Sequence, residues 1–446
     1  MPQIRDPIHG SIEVSVDEVA LIDAPFYQRL RNVKQLGFTD LAFPGGTHTR
    51  YAHGIGAMHV ASRVFDSLAK GRELSEPDRK RFRQALRIAV LFHDVGHAPL
   101  SHTSETIMPA RKHLDLPAWT TAPQDVDRRA NHEDYTLKIL LDSEIAQSIE
   151  RAFGNEGITP AGVAGLVLGR AKPGLEEEFV AQGLDWGPLL RQIVSSELDA
   201  DRMDYLQRDS FYTGVNYGQF DLDWLAGNLS VAEMRTDGRN RAHLALGKRA
   251  IFAFEDFLLS RFHMFLSVYY HYTPICFDAM LQRYFKEAVG EYVIPSDIGE
   301  YLEHDDVTLT ARLRESKNRW ALAVVRRRPW KLVAEENEFD QGYDLDALQK
   351  ELAAAGVESF SAESKGVLSK YFRSAESQGQ PEAGNHAAPP LFVHDPGSDR
   401  FTPVEKYTPL YERYSKAVRI RRIYADPDRQ DDARRIAKKL SGSRVD

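Results

Sequence analysis

Three apolar helical stripes in this sequence each end by turning a histidine or an aspartate toward the interior, which narrows the folds open to the chain. One stripe runs Phe82, Ala85, Leu86, Ala89 and His93, at i, i+3, i+4, i+7 and i+11, with Asp94 beside its end. Ser75, with Asp78 three residues on, predicts the start of that helix and Gly96 its stop. His53 heads a second stripe through Ala57, Val60, Val64 and Leu68. A third passes through Leu190, Val194, Leu198, Asp201 and Tyr205 and predicts one helix, with Asp201, Tyr205 and Asp209 on a shared face. Taken singly, each polar residue would read as a hydrogen-bonded core group. Charge at the buried end of an apolar stripe is costly unless it is paired or bound to a metal. Two imidazoles and two carboxylates suit a first-row divalent ion that keeps positions for water and substrate.

Apolar-periodic segments dominate from about residue 17 to about 290, so the chain is expected to be mainly α. A helical core over residues 1–290 and a smaller mixed α+β region over 291–446 form the expected division. Asp6-Pro7-Ile8-His9-Gly10 suggests a short strand or turn at the start, and short strands are expected near 241–252. Residues 108–130 and 171–187 read as surface insertions, and 376–400 as a flexible loop. Arg326-Arg327-Arg328 reads as a solvated face. The greasiest stretch, Ile251 to Phe285, is interrupted by Glu255, Asp256, Arg261, His271 and Asp278, which predicts a buried helix pair and no membrane span.

The net charge of -8 argues against a protein built to coat nucleic acid. Cys276 stands alone, so neither an internal disulfide nor a thiolate zinc site can form. With no apolar secretory stretch at Met1 to Asp6, a cytoplasmic location is expected.

The order His53, His93-Asp94, Asp201 resembles the HD phosphohydrolase superfamily, which implies an HD-domain helical core. The flanking text is more specific: Asp23 to Arg31, Lys34-Gln35-Leu36-Gly37, Phe43-Pro44-Gly45, His48 to His53, and His93 to His102. These segments are similar to bacterial relatives of the vertebrate SAM-and-HD-domain dNTP triphosphohydrolase. The resemblance implies that His53, His93, Asp94 and Asp201 ligate a divalent metal ion, with Mn, Fe, Mg, Co, Ni and Zn all open. It places His97, His102 and His132 at the cleavage centre, with His102 expected to donate the proton and Glu105 to orient it. His97 and His132 are open to a lesser role, bracing the ligands from behind or contacting phosphate only.

The same resemblance implies that Arg50, Arg202 and Arg261 meet phosphates, for which the guanidinium fork is apt. It also implies that Gln35, Tyr205, Asp209 and Tyr269 read the sugar. Phe265 stands where the vertebrate enzyme has a histidine near the base, which puts base recognition in question. Asp23, Gln28 and Arg31 match a guanine-nucleotide effector segment between subunits, implying an allosteric nucleotide and a homo-oligomer, dimer or tetramer; simple bracing of the chain by Gln28 and Arg31 is the alternative. The expected reaction turns a deoxynucleoside triphosphate into deoxynucleoside and triphosphate. An HD phosphodiesterase or nucleotidase acting on other nucleotides or nucleic-acid ends, or a nucleotide-sensing scaffold, are the competing readings.

Overall fold

A computed structural model describes residues 2–337, 344–367, 391–408, 410 and 417–441. The fold is mainly α, with an N-terminal hairpin, a small sheet that draws most of its strands from residues 180–247, and a three-stranded sheet toward the C-terminus. Its centre is a trio of helices: α1 (Arg50–Ala69), α2 (Glu76–Phe92) and α4 (Ala200–Thr213), with α3 (His132–Leu141) close by. The Ser75 side chain caps α2 by accepting from the Asp78 amide, as the sequence predicts. The stripe residues Ala57, Val60, Val64, Leu68, Phe82, Leu86 and Ala89 are all buried in one apolar core. Burying such stripes against one another supplies the main drive to fold.

The third stripe is not one helix. Gly187–Val194 ends, and α4 begins afresh at Ala200. The cause is Asp199, whose carboxylate accepts from the backbone amides of Ser196 and Arg202 and so caps α4. The Ile251 to Phe285 stretch does form a buried pair, α5 (Ile251–Met264) and α6 (Tyr272–Glu287), joined by a π-helical turn Phe265–Tyr269. No helix among the described residues is long and apolar enough to cross a membrane.

Strands β1 (Gln3–Asp6) and β2 (Gly10–Glu13) make the N-terminal hairpin. The segment 171–187 is not purely superficial: it carries the short β3 (Val180–Ala181) and β4 (Leu184–Asp185) and buries Phe179 and Trp186. Likewise 108–130 buries Met108, Arg111 and Leu114, with Arg111 held by Asp134. The short strands expected near 241–252 are a full hairpin, β5 (Leu229–Thr236) with β6 (Arg239–Gly247). Asp237 and Gly238 both take positive φ at its tip, the geometry that suits the twist of a two-residue hairpin turn.

Beyond residue 290 the chain builds a second core around α6, with Trp320, Trp330, Phe360 and Tyr424. A three-stranded sheet, β7 (Lys331–Asn337), β11 (Ala417–Ala425) and β8 (Ser359–Val367), covers it. Of the loop expected at 376–400, residues 376–390 lie outside the described residues. Its end is ordered as β9 (Phe392–Asp395), which pairs with β10 (Arg400–Pro403) and runs parallel to β6. The later chain thus returns to the first core, burying Leu391, Val393 and Val404 there. Arg326, Arg327 and Arg328 are exposed.

Candidate active site

The site forms where the first turn of α1, the end of α2 and the first turn of α4 meet. His53 is fully buried, and its Nδ1 lies 2.8 Å from Asp204 Oδ2. His93 turns Nδ1 toward the Val90 carbonyl at 2.7 Å. With each Nδ1 proton engaged, the Nε2 lone pairs are the free ligand atoms. His53 Nε2 lies 3.0 Å from Asp201 Oδ1 and 3.9 Å from Asp94 Oδ2. His93 Nε2 lies 3.4 Å from Asp94 Oδ1 and 3.5 Å from Asp201 Oδ1. Both Nε2 atoms are buried without a well-formed hydrogen bond. Ligand atoms of His53, His93 and Asp94 fall within 4.8 Å of one another. This donor set fits a divalent ion.

The electrostatics agree. Burial works against a charged imidazole, yet Asp201 and Asp204 push His53 up to about 10, and Asp94 with Asp201 push His93 up to about 9. The carboxylates draw positive charge to this point, whether carried by a proton or by a metal. Burial alone would raise Asp94, but His93, Arg50 and His97 hold it well below the usual carboxylate range.

Behind these four residues lies a network that the apolar stripes do not reveal. Asp204, with no solvent exposure, accepts from His53, from His9 Nε2 at 2.6 Å and from Arg208 at 2.8 and 2.9 Å. Arg208 continues to Asp6 at 2.9 Å, and Asp6 also accepts from the amides of Ile8 and His9. The N-terminal hairpin therefore braces Asp204, the carboxylate that holds the His53 ring, across 195 residues of chain. Its sequence signal was the Asp204/Arg208 pair at i, i+4, which invites a salt bridge but does not reveal its distant partners.

Beside the ligands, His97, His102, Glu105 and His132 form a second group with ligand-type atoms within 4.8 Å. Glu105 accepts from His132 Nδ1 at 2.5 Å and from His102 Nδ1 at 3.2 Å. Burial would raise the carboxyl of Glu105, but His102 and His132 hold it far below its ordinary range. His97 stacks on His132 with centroids 3.9 Å apart and points Nε2 at Asp94, 3.2 Å away. Burial and the Arg50 charge keep His97 neutral by pushing it well down. His102 is 69% exposed, so it is the member open to a ligand.

The loop carrying these histidines passes through the left-handed region at Leu100 (φ 53) and Ser101 (φ 56), a strained conformation for such residues. It is held from outside. Asp306 accepts from the Leu100 amide at 2.7 Å and the Lys34 amide at 3.0 Å, Tyr301 donates to the Gly96 carbonyl, and Arg29 donates to the carbonyls of Val95 and His97.

The remaining expected residues divide. Asp209 is buried between His48 Nε2 and the Tyr269 hydroxyl, each at 2.7 Å. Tyr205 stands between the two groups, its ring 6.5 Å from His53 and 6.2 Å from Tyr269. Gln35 keeps a buried Oε1 with no hydrogen bond. The arginines are not lone cations: Arg50 pairs with Asp94 and Ser101, Arg202 with Asp199 and the Ser196 carbonyl, and Arg261 with Glu197 at 2.6 Å. Phe265 packs edge-on to Tyr269. Gln28 bonds the Ile22 carbonyl and receives Arg31, whose guanidinium lies 3.6 Å over the Tyr51 ring, while Asp23 is exposed.

Comparison with known proteins places these features. A family model described as the HD domain matches residues 50–209, and one described as the HD associated region matches 231–338. An uncharacterized protein of Methanocaldococcus jannaschii is 29% identical over 340 residues, covering 76% of this chain and 61% of that protein. Deoxynucleoside triphosphate triphosphohydrolase SAMHD1 of Gallus gallus is 28% identical over 300 residues, covering 65% of this chain and 45% of that one. The chain thus spans under two thirds of the length of these relatives. A hypothetical protein from Aquifex aeolicus has the same fold, with a TM-score of 0.72 at 24% identity and 98% and 99% of the two chains covered.

Proposed function

This chain is an HD-domain protein with an HD-associated region, and from that premise we propose that it hydrolyses deoxynucleoside triphosphates to deoxynucleoside and triphosphate. The observation that carries the reading is the convergence of the His53 and His93 Nε2 atoms on Asp94 and Asp201, directly beside the His102–Glu105–His132 group. His53, His93, Asp94 and Asp201 would hold a divalent ion, which when bound supplies Lewis-acid polarisation of a phosphoryl oxygen.

The protein's own groups then divide the work. Water adds its oxygen to the α-phosphorus, the bond to the sugar O5′ breaks, and O5′ leaves with the electron pair and takes a proton from His102, which the proton released by the attacking water restores. Glu105, fixed by His132, orients the His102 ring for that transfer. Neutral His97 lines the same space between Asp94 and His132. Arg50 and Arg202 sit beside the ligands, with guanidinium edges to share with phosphate oxygens. Gln35 and Asp209 would hydrogen-bond the sugar 3′-hydroxyl, and Tyr205 and Tyr269 pack its face, so that a ribose 2′-hydroxyl clashes. The similarity to the bird triphosphohydrolase supports this substrate class.

The test is product identification by chromatography after incubating the metal-loaded protein with a mixed pool of ribo- and deoxynucleotides. Deoxynucleoside and triphosphate are expected. Release of monophosphate, or attack on cyclic nucleotides or nucleic-acid ends, moves the assignment to the phosphodiesterase or nucleotidase reading. No turnover with any nucleotide leaves a nucleotide-sensing scaffold. Asp23, Gln28 and Arg31 are proposed as a guanine-nucleotide effector site in a homo-oligomer. GTP should then stimulate hydrolysis of a second nucleotide and Asp23→Ala abolish the effect. Rates unchanged by both would leave the Gln28 and Arg31 contacts as bracing only.

A further inference from the structure

A cavity of about 360 Å³ opens on the far side of Gly187–Val194 from its junction with α4, and none of its lining residues belongs to the site above. Guanidinium groups reach it from three separate segments: Arg170, Arg191, and Arg239 with Arg241 on β6. The lining carboxylates are Glu176 and Asp185. Glu176 is exposed and accepts from the Gly174 amide. Asp185 is turned to the Gly187 amide at 2.9 Å and stands 3.9 Å from Arg241. The other pairings, Arg239 with Glu177 and Arg241 with Asp237, involve carboxylates that are 69% and 79% exposed and are therefore weak.

Arg170 and Arg191 are both half-buried, and among the described residues neither makes a salt bridge or side-chain hydrogen bond. The Nε of Arg170 is buried without a partner. Burial disfavours the charge on Arg191 and the nearby Asp185 offsets this only in part, with Arg241 adding a smaller repulsion. Partly desolvated guanidinium donors with nothing to donate to are expensive, and a chain of net charge -8 has carboxylates to spare for them.

The local backbone also suits an anion. Gly187 and Pro188, at the amino end of their helix, line the cavity; the Gly187 amide already serves Asp185 and Pro188 has no N–H, so what this end adds is the helix dipole, which favours negative charge. Gly187 lets the groups sit close: a Cβ there would come within 3.2 Å of both terminal nitrogens of Arg191 and 3.0 Å of Asp185, displacing these side-chain ends slightly. The volume is that of a small-molecule site. Cations spread over three segments match a chain of anionic groups better than a single ion.

We infer that this cavity binds an oligophosphate chain, either free or carried by a nucleotide. The inference does not depend on the hydrolase reading.

Sodium tripolyphosphate is titrated by calorimetry into chelator-treated protein. Binding is expected that Arg191→Gln weakens at least tenfold and Arg170→Gln with Arg191→Gln abolishes, while Arg202→Ala, at the proposed catalytic site, leaves it in place. Parallel titrations with GTP and dATP separate the sources. Nucleotide heat lost in the same double variant identifies a nucleotide's phosphates, and a response to tripolyphosphate alone identifies the free chain. Should the double variant fold poorly, Arg191→Lys keeps the charge without the planar fork and should still weaken binding severalfold. On the unaltered protein, tripolyphosphate should protect Arg170 and Arg191 from phenylglyoxal, read by peptide mass spectrometry. Binding untouched by these arginines, or removed entirely by Arg202→Ala, overturns the inference. So does the absence of both binding and protection.

Discussion

Replacing Asp204 by asparagine keeps the side chain's shape and removes half of its capacity to accept. One carboxylate oxygen serves His53 Nδ1 and Arg208 Nε, each at 2.8 Å; the other serves His9 at 2.6 Å and a terminal nitrogen of Arg208 at 2.9 Å. Whichever way the amide is turned, its NH2 confronts two donors. Arg208, wholly buried, keeps only Asp6 as a full carboxylate partner. Breaking a buried charged network in this way costs about 3–5 kcal/mol, a large share of a typical total of about 5–15 kcal/mol. His53 also loses the group that fixes its tautomer, which lowers metal affinity by about 10–100-fold. The variant should therefore be measured twice: urea unfolding of the metal-free protein, and metal affinity by chelator competition under conditions where both proteins are folded. A loss of less than about 1 kcal/mol, judged against the cost of a broken buried pair, together with unchanged metal affinity, would refute the claim that this network organises the ligands.

Asp94→Asn or His93→Ala should remove bound metal and turnover together while helical circular dichroism persists; full metal content would displace both from the ligand set. Asp278, which accepts from Thr103 at 2.7 Å, is pushed by burial up to about 6 from an ordinary 3.8. Its protonated form is favoured by folding, so its stabilising contribution is present below 3.8 and is lost as pH rises through about 6. Asp278→Asn should accordingly gain on the parent protein between pH 4 and 7, by no more than about 3 kcal/mol, and urea midpoints showing the reverse trend would sink this. Arg261→Ala strips Glu197 of a buried partner and should destabilise by about 3–5 kcal/mol, whereas unchanged melting with selective loss of triphosphate substrates would make Arg261 a phosphate contact.

The proposed ligands stood out in the sequence for a simple reason: His53 and His93 end stripes whose period is local, and local periods survive without knowledge of the fold. The network behind them was hidden because Asp6 and His9 reach Asp204 only through tertiary structure. The break between Val194 and Ala200 escaped notice because the apolar period runs straight through it, while Asp199 satisfies the amides of Ser196 and Arg202 in a capped turn. The β5–β6 hairpin is legible in Asp237-Gly238, a stronger turn signal than the pattern at 241–252. Arg50, Arg202 and Arg261 looked like cations awaiting phosphate because the carboxylates that meet them, Asp94, Asp199 and Glu197, could not be assigned as partners from sequence.

Asp306 and Tyr301 lie in the HD-associated region, yet they hold the backbone on which His97 and His102 ride. The two parts are therefore mechanically one machine, with the strained turn at Leu100–Ser101 as the joint between them. A graft that exchanged the associated region for one lacking a carboxylate at position 306 would free that turn to relax toward ordinary backbone angles. It would scatter the histidines without touching any of them. Such chimeras should lose order around residues 95–102 first, and inherit their competence from the match at this joint more than from the identity of the ligands.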